Sequence, residues 1–270
     1  MTRLNRLAAC FSNLKKQRKT ALIPYIVTGD PGLDLTLPLM HSMVKAGANV
    51  IELGVPFSDP MADGPIIQRA AERALQFDTS LDDVFEIVRT FRQKDNNTPI
   101  ILMGYLNPIE VMGYERFVKE AVSSGVDGVL TVDLPPEEAK SFTKFCSAEG
   151  LDPIYLIAPT TSSKRMKLIN QFASGFVYYV SIKGVTGAAN IDVQEVSSRV
   201  DTIRKFINLP IGVGFGIKDA VTAAKVAENS DAVVIGSAII NLIENNLQSP
   251  AKIVKEVFSF LTDVRHALDR

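Results

Sequence analysis

Eight short apolar runs recur along this 270-residue chain, and nearly all are continuously apolar rather than alternating. They read ALIPYIV (21–27), NVIELGV (49–55), PIILMGY (99–105), DGVLTVDL (127–134), DPIYLIA (152–158), GFVYYVS (175–181), PIGVGFG (210–216) and DAVVIGS (231–237). A strand with one wet face alternates apolar and polar residues. A continuous run has no wet face, so these segments are strands of a parallel sheet covered on both sides.

Helix-period segments separate the runs. Val84, Ile87, Val88 and Phe91 keep an i, i+3, i+4, i+7 spacing behind Ser80 and Asp83, which form a capping-box pattern. Val196, Val200, Ile203 and Ile207 make a second stripe, and Val254, Val257, Phe258 and Leu261 a third. Gly125, Gly150 and Gly175 stand where a left-handed residue would close a helix, and Pro135–Pro136 suit the first turn of one. Eight strands each followed by a helix define an α/β protein, and the chain length matches a (β/α)8 TIM barrel of roughly 250 residues. An open doubly wound sheet has the same local pattern, since periodicity does not show closure.

No linker or shift in composition divides residues 1–270, which predicts a single domain. The first 16 residues predict an extra helix ahead of strand one, placed to plug the N-terminal end of a barrel. The long gap between strands two and three holds SDPMADGPIIQRAAERAL (58–75), a loop leading into another extra helix. A short extra helix is expected after strand eight. In a barrel, long strand-to-helix loops lie on the functional face.

Composition removes whole classes of function. With 29 basic and 30 acidic residues the chain has no general attraction to nucleic acid or anionic lipid. No stretch reaches 18 apolar residues, the best candidate (232–243) being broken by Ser237 and Asn241, so no membrane span is expected. The N-terminus lacks a secretory apolar core, and Cys10 and Cys146 form no CxxC, which together predict a reducing cytoplasm. His41 and His266 are the only histidines and lie in helical patterns, so no metal site is expected. Acid–base chemistry near neutral pH then falls to carboxylates, tyrosine or lysine.

Glu52 interrupts the apolar strand NVIELGV. It is either a structural carboxylate satisfied by a neighbour or a general acid/base whose pKa is raised by apolar surroundings. Asp63, in MADGP, is either a turn residue or a second carboxylate on the loop above. Three glycine-bearing stretches follow strands six to eight: KGVTGA (183–188), VGFGI (213–217) and IGSAI (235–239). Each alone is loop punctuation, but together they occupy the βα loops where barrels bind phosphate through backbone N–H groups. None fits a dinucleotide or P-loop fingerprint. Asp133 and Tyr178 are further polar groups in apolar runs, and Lys183 reads as a solvated loop cation rather than a Schiff-base lysine.

ELGVPFSDPMADGP (52–65) followed by Gln68, with PYIVTGDP (24–31), GVTGA (184–188), GFGI (214–217) and IGSAI (235–239) in that order, resembles the tryptophan synthase alpha subunit family over essentially the whole chain. The resemblance implies a lyase that cleaves indole-3-glycerol phosphate to indole and glyceraldehyde 3-phosphate. It places Glu52 and Asp63 at the catalytic carboxylate positions and Tyr178 beside the scissile bond. Tyr25, where one family variant has phenylalanine, would line the indole pocket with Met103 and Phe215. Gly187, Gly216, Gly236 and Ser237 match phosphate-binding positions. It also implies an α2β2 assembly with a beta subunit, whose pyridoxal phosphate site consumes the indole through a tunnel, and no cofactor in this chain. Pro56, Pro60, Met61 and Pro108 would be exposed on the docking loops. One departure stands out: the family's Ser-Arg-x-Gly-Val-Thr-Gly block has Ile182 at the arginine position, with Lys183 beside it. The competing readings are indole-3-glycerol phosphate synthase, a standalone indole-producing lyase and a catalytically silent activating subunit. Neither PYIVTGD nor VIELGVP supplies the early-strand lysine of the first.

Overall fold

The computed structural model describes residues 5–180, 193–214 and 216–270. After α1 (Arg6–Gln17) come β1 (Ala21–Val27), α2 (Leu33–Lys45), β2 (Ile51–Gly54), α3 (Pro65–Leu75) and α4 (Leu81–Arg92). There follow β3 (Ile100–Gly104), α5 (Leu106–Met112), α6 (Tyr114–Ser124), β4 (Gly128–Thr131), α7 (Lys140–Glu149), β5 (Asp152–Ile157) and α8 (Ser163–Phe172). The chain closes with β6 (Val177–Val180), α9 (Val193–Arg204), β7 (Ile211–Gly214), α10 (Ala220–Ala227), β8 (Ala232–Ile235), α11 (Ser237–Glu244) and α12 (Pro250–Leu268).

All eight strands are parallel, each paired with the next, and β1 pairs with β8 to close the barrel. Closure excludes the open doubly wound alternative. The continuous apolar runs are explained by two separate cores. Outward side chains such as Leu22, Ile26, Ile51, Leu53 and Val213 pack under the helices. Inward ones, including Ala21, Ile23, Val50, Ile101, Leu130, Ile154, Phe176, Ala232 and Val234, fill the barrel. Leu7, Phe11 and Leu14 of α1 join that inner cluster, with Phe11 and Phe176 ring centroids 5.6 Å apart. The extra N-terminal helix is therefore the expected plug, and each of its three anchors contributes about 1.5–3 kcal/mol by burial. Below the barrel, Asp127 accepts from Arg6 at 2.8 Å and from Arg92 at 2.9 Å, tying α1 and α4 to the start of β4.

The capping box at Ser80 is present, with Asp83 accepting from the Ser80 backbone N–H at 2.8 Å. Gly125 and Gly150 close α6 and α7 in left-handed conformation. Gly175 also has positive φ but lies two residues beyond the cap of α8, where a Cβ would meet Asp152 and Leu7 at 3.2 Å. Three expectations need correction. Pro135 and Pro136 do not start a helix. They open a turn in which Glu138 donates to the Pro135 carbonyl, and α7 begins only at Lys140. The buried stripe of α12 is Ile253, Val257, Leu261 and Val264, which leaves Phe258 40% exposed. Two apolar stripes run side by side on that helix, and packing against α2 and α10 selects the deeper one. Finally, the β3–β4 connection holds two helices, α5 and α6, rather than one.

Candidate active site

Strand β2 is short, and Glu52 is its inward residue, level with Tyr25 on β1 and Ile101 on β3. Its side chain is 1% exposed, and neither carboxylate oxygen has a hydrogen-bond partner among the described residues. Burial first, and then the charge of Asp63, raises its pKa to about 8. A carboxylate satisfied by a neighbour would show a donor, and among the described residues none reaches it. At neutral pH this group holds a proton inside an apolar barrel.

Asp63 stands on the β2–α3 loop, two residues before α3. It accepts a hydrogen bond from the Tyr105 hydroxyl at 2.9 Å, and that hydroxyl in turn accepts from the Ala62 backbone N–H at 3.0 Å. Tyr105 is itself buried and stacks on Phe57 with centroids 5.4 Å apart. The Gln68 amide donates to the Asp63 carbonyl at 2.9 Å, binding the loop to the first turns of α3. Burial raises the Asp63 pKa, while the Tyr105 hydrogen bond pulls it back. MADGP is thus more than a turn: it is a loop held from two sides with one carboxylate aimed by a phenol.

Tyr25 and Tyr178 complete the wall. Both are held well above the ordinary tyrosine pKa by burial and then by the charges of Glu52 and Asp63, so both stay neutral donors. Their rings fit because glycine replaces a side chain opposite each. A Cβ on Gly54 would collide with the Tyr25 hydroxyl, and one on Gly214 with that of Tyr178. Met103, level with Gly54 on β3, is partly buried and packs against the inner cluster, as do Val132, Leu156 and Tyr178. The structure thus brings Glu52, Asp63, Tyr25, Tyr178 and Met103 to one end of the barrel. Phe215, Gly187 and the Ile182–Lys183 departure lie outside the described residues.

Gly236 is the N-cap of α11, and Ser237 is its first residue, so the N–H groups of that first turn face the same end of the barrel. Gly216 follows β7 with φ +75°, a conformation that any side chain would strain. On the neighbouring loops the exposure expected of the prolines is corrected. Pro56 is buried, and Pro60 and Pro108 are half-buried, because both loops fold back on the barrel. The wet apolar groups there are Met61 and Val111, which are 81% and 82% exposed. Sequence reasoning missed Tyr105. The available signal was strand alternation: Tyr105 lies two residues beyond Met103, on the same side of the run.

Among the described residues no group of three His, Cys, Asp or Glu side chains could hold a metal, and no helix is long and apolar enough to cross a membrane.

A plugged (β/α)8 barrel that gathers a buried glutamate, a phenol-bound aspartate and two neutral tyrosines at one end has the build of a class, the barrel enzymes. Comparison with known proteins supplies the family. The family model for the tryptophan synthase alpha chain matches residues 11–269. The tryptophan synthase alpha chains of Nitrosococcus oceani and Thioalkalivibrio sulfidiphilus are each 54% identical over 266 residues. These matches cover 98% of this chain and 98% and 100% of theirs. The crystal structure of tryptophan synthase subunit alpha from Legionella pneumophila superposes with TM-score 0.93 at 46% identity, covering 99% of each chain. A structure of the tryptophan synthase α2β2 complex from Pyrococcus furiosus matches with TM-score 0.84 and 36% identity, over 91% of this chain and 98% of that one. The chain belongs to the tryptophan synthase alpha chain family.

Proposed function

We propose that the chain carries out the alpha reaction of tryptophan synthase, the retro-aldol cleavage of indole-3-glycerol phosphate to indole and glyceraldehyde 3-phosphate. The observation that carries the residue assignment is Glu52, buried without a hydrogen-bond partner among the described residues and protonated near neutral pH. Cleavage requires a proton on indole C3 and loss of the proton from the adjacent glycerol hydroxyl. Glu52 gives its proton to C3, which turns the ring into an indoleninium cation. The carboxylate left behind then takes the hydroxyl proton. The C–C bond breaks, its electron pair returns to the ring, and indole and an aldehyde leave. Asp63, held by Tyr105, accepts from the indole N1–H and opposes the cationic charge of the intermediate. Tyr178 is the neutral phenol beside the scissile bond, and Tyr25 and Met103, with Phe215, enclose the ring.

The phosphate is received by the N-terminal turn of α11, at Gly236 and Ser237, with Gly216 and Gly187. A beta subunit is the partner, docking over Met61 and Val111, and it supplies pyridoxal phosphate from its own site. The Pyrococcus furiosus complex and the exposed apolar loops support this assembly.

The test is steady-state cleavage by the purified chain, alone and with the matching beta chain, on wild type, Glu52→Gln and Asp63→Asn. Glu52→Gln is expected to lose at least ~10²-fold in rate, the usual scale for one acid–base group. Asp63→Asn should lower kcat more than it raises KM. Near-wild-type cleavage by a folded Glu52→Gln chain would overturn the assignment.

A further inference from the structure

Three elements of the barrel mouth meet at one guanidinium. Arg73, near the end of α3, forks onto Asp30 of the β1–α2 loop, with Nε to Oδ1 at 2.6 Å and Nη2 to Oδ2 at 2.9 Å. Its third nitrogen reaches Glu244, the last residue of α11, at 3.0 Å. Arg69, one turn earlier on α3, pairs both carboxylate oxygens of the same Glu244 at 2.6 and 2.8 Å. The Asp30 side chain has no exposure and Arg73 retains only 14%, so that half of the joint is dry and weakly screened, whereas Glu244 at 24% and Arg69 at 46% are partly wet.

What these elements carry gives the joint its meaning. Helix α3 begins two residues after Asp63, and its Gln68 holds the Asp63 carbonyl. Helix α11 begins at Gly236 and Ser237, about 10 Å of helix away from Glu244. The Asp30 loop directly continues β1, which carries Tyr25. Helices transmit displacement along their axes as rods. The spacing between the indole end of the site, at Asp63, and the phosphate end, at Ser237, is therefore set from behind.

We propose that Arg73 is a positioning residue that fixes the distance between the two ends of the substrate site by clamping α3 to α11 through Glu244. This rests on the cleavage reading above. A substrate held at both ends gains rate only if both anchors fit one rigid molecule, and small misplacements of a reacting group are expensive in rate. Arginine suits the role because its planar fork engages two carboxylates in fixed directions, which a lysine ammonium does not. Half-ligands are indifferent to the spacing, because each uses one anchor only.

The experiment compares whole and half ligands on wild type, Arg73→Met and Glu244→Gln, below the melting temperature of each. Glycerol 3-phosphate probes the phosphate end and indole probes the ring end by equilibrium binding, while indole-3-glycerol phosphate reports kcat and KM. Arg73→Met is expected to bind each half-ligand within threefold of wild type and to lose at least tenfold in kcat/KM on the whole substrate. Glu244→Gln, which disturbs the contacts of both Arg69 and Arg73, should fall at least as far, and the double variant should be no worse than the weaker single variant, since both break one device. Half-ligand binding weakened as much as turnover would overturn the proposal, leaving only local scaffolding. So would an Arg73→Met chain as active as wild type. If Arg73→Met fails to fold, Glu244→Gln carries the same comparison from the more exposed side of the joint. Absence of cleavage in the wild-type chain would instead strike the activity reading.

Discussion

Replacing Glu52 by glutamine should stabilise the protein, and by an amount that grows with pH. The folded-state pKa is raised from 4.5 to about 8, so the folded chain keeps a proton that the unfolded chain releases above pH 4.5. The native state therefore binds more protons than the unfolded one between these values, and stability falls as pH rises through that window. Integrating the linkage gives a destabilisation from Glu52 of about 1 kcal/mol at pH 5, about 3 at pH 7 and about 5 at pH 9. Glutamine carries no titrating group, so Glu52→Gln removes this pH-dependent part. Any loss from burying the amide is the same at every pH and cancels when two pH values are compared. Urea unfolding of wild type and Glu52→Gln at pH 5, 7 and 9 measures it. The stability of the variant relative to wild type should rise by about 4 kcal/mol from pH 5 to pH 9. Parallel stability curves would refute the reasoning, because they would mean that Glu52 ionises as readily folded as unfolded.

The same protonation predicts that kcat/KM for indole-3-glycerol phosphate declines as pH rises through about 8, where Glu52 loses the proton it must donate; a flat profile to pH 9.5 would contradict it. Tyr105→Phe removes the donor that aims Asp63 and lowers its pKa, so kcat should fall roughly tenfold and the acidic limb of the pH–rate profile should move to higher pH. An unshifted acidic limb would separate Tyr105 from Asp63. At the opposite end of the barrel, Asp127→Asn weakens the ion pairs with Arg6 and Arg92 and should cost about 3 kcal/mol in urea unfolding while leaving kcat near wild type. A large kinetic effect there would show that the two ends of the barrel are coupled.

The architecture was legible because a strand covered on both faces leaves an unbroken apolar run, and eight such runs leave few folds open. Closure was not legible, since the pairing of Ala21 with Ala232 spans almost the whole chain and leaves no local mark. Glu52 stood out because a charge in an apolar run needs a reason. Tyr105 did not stand out, because an aromatic residue after a strand reads as core, and only its hydroxyl contact with Asp63 gives it a role. The joint at Arg73 was equally hidden: its partners lie 43 and 171 residues away, and arginine on a polar helix face reads as solvated. The α12 register was misplaced because two adjacent stripes were both apolar, and tertiary packing chose between them.

The seating of α1 has a bearing on the fate of the product. With Leu7, Phe11 and Leu14 wedged into the barrel interior and Phe11 against Phe176, the space above Glu52 has a floor. Indole is small, uncharged and membrane-permeable, so a porous barrel would lose it to the surroundings from either end. A filled base turns the door of the site to the other end of the barrel, where the loops that carry Met61 and Val111 stand in water. Whatever covers that door decides how long the product stays and where it goes next. A helix at the far side of the molecule, remote from Glu52 and Asp63, thereby decides which end of the barrel faces the product's exit.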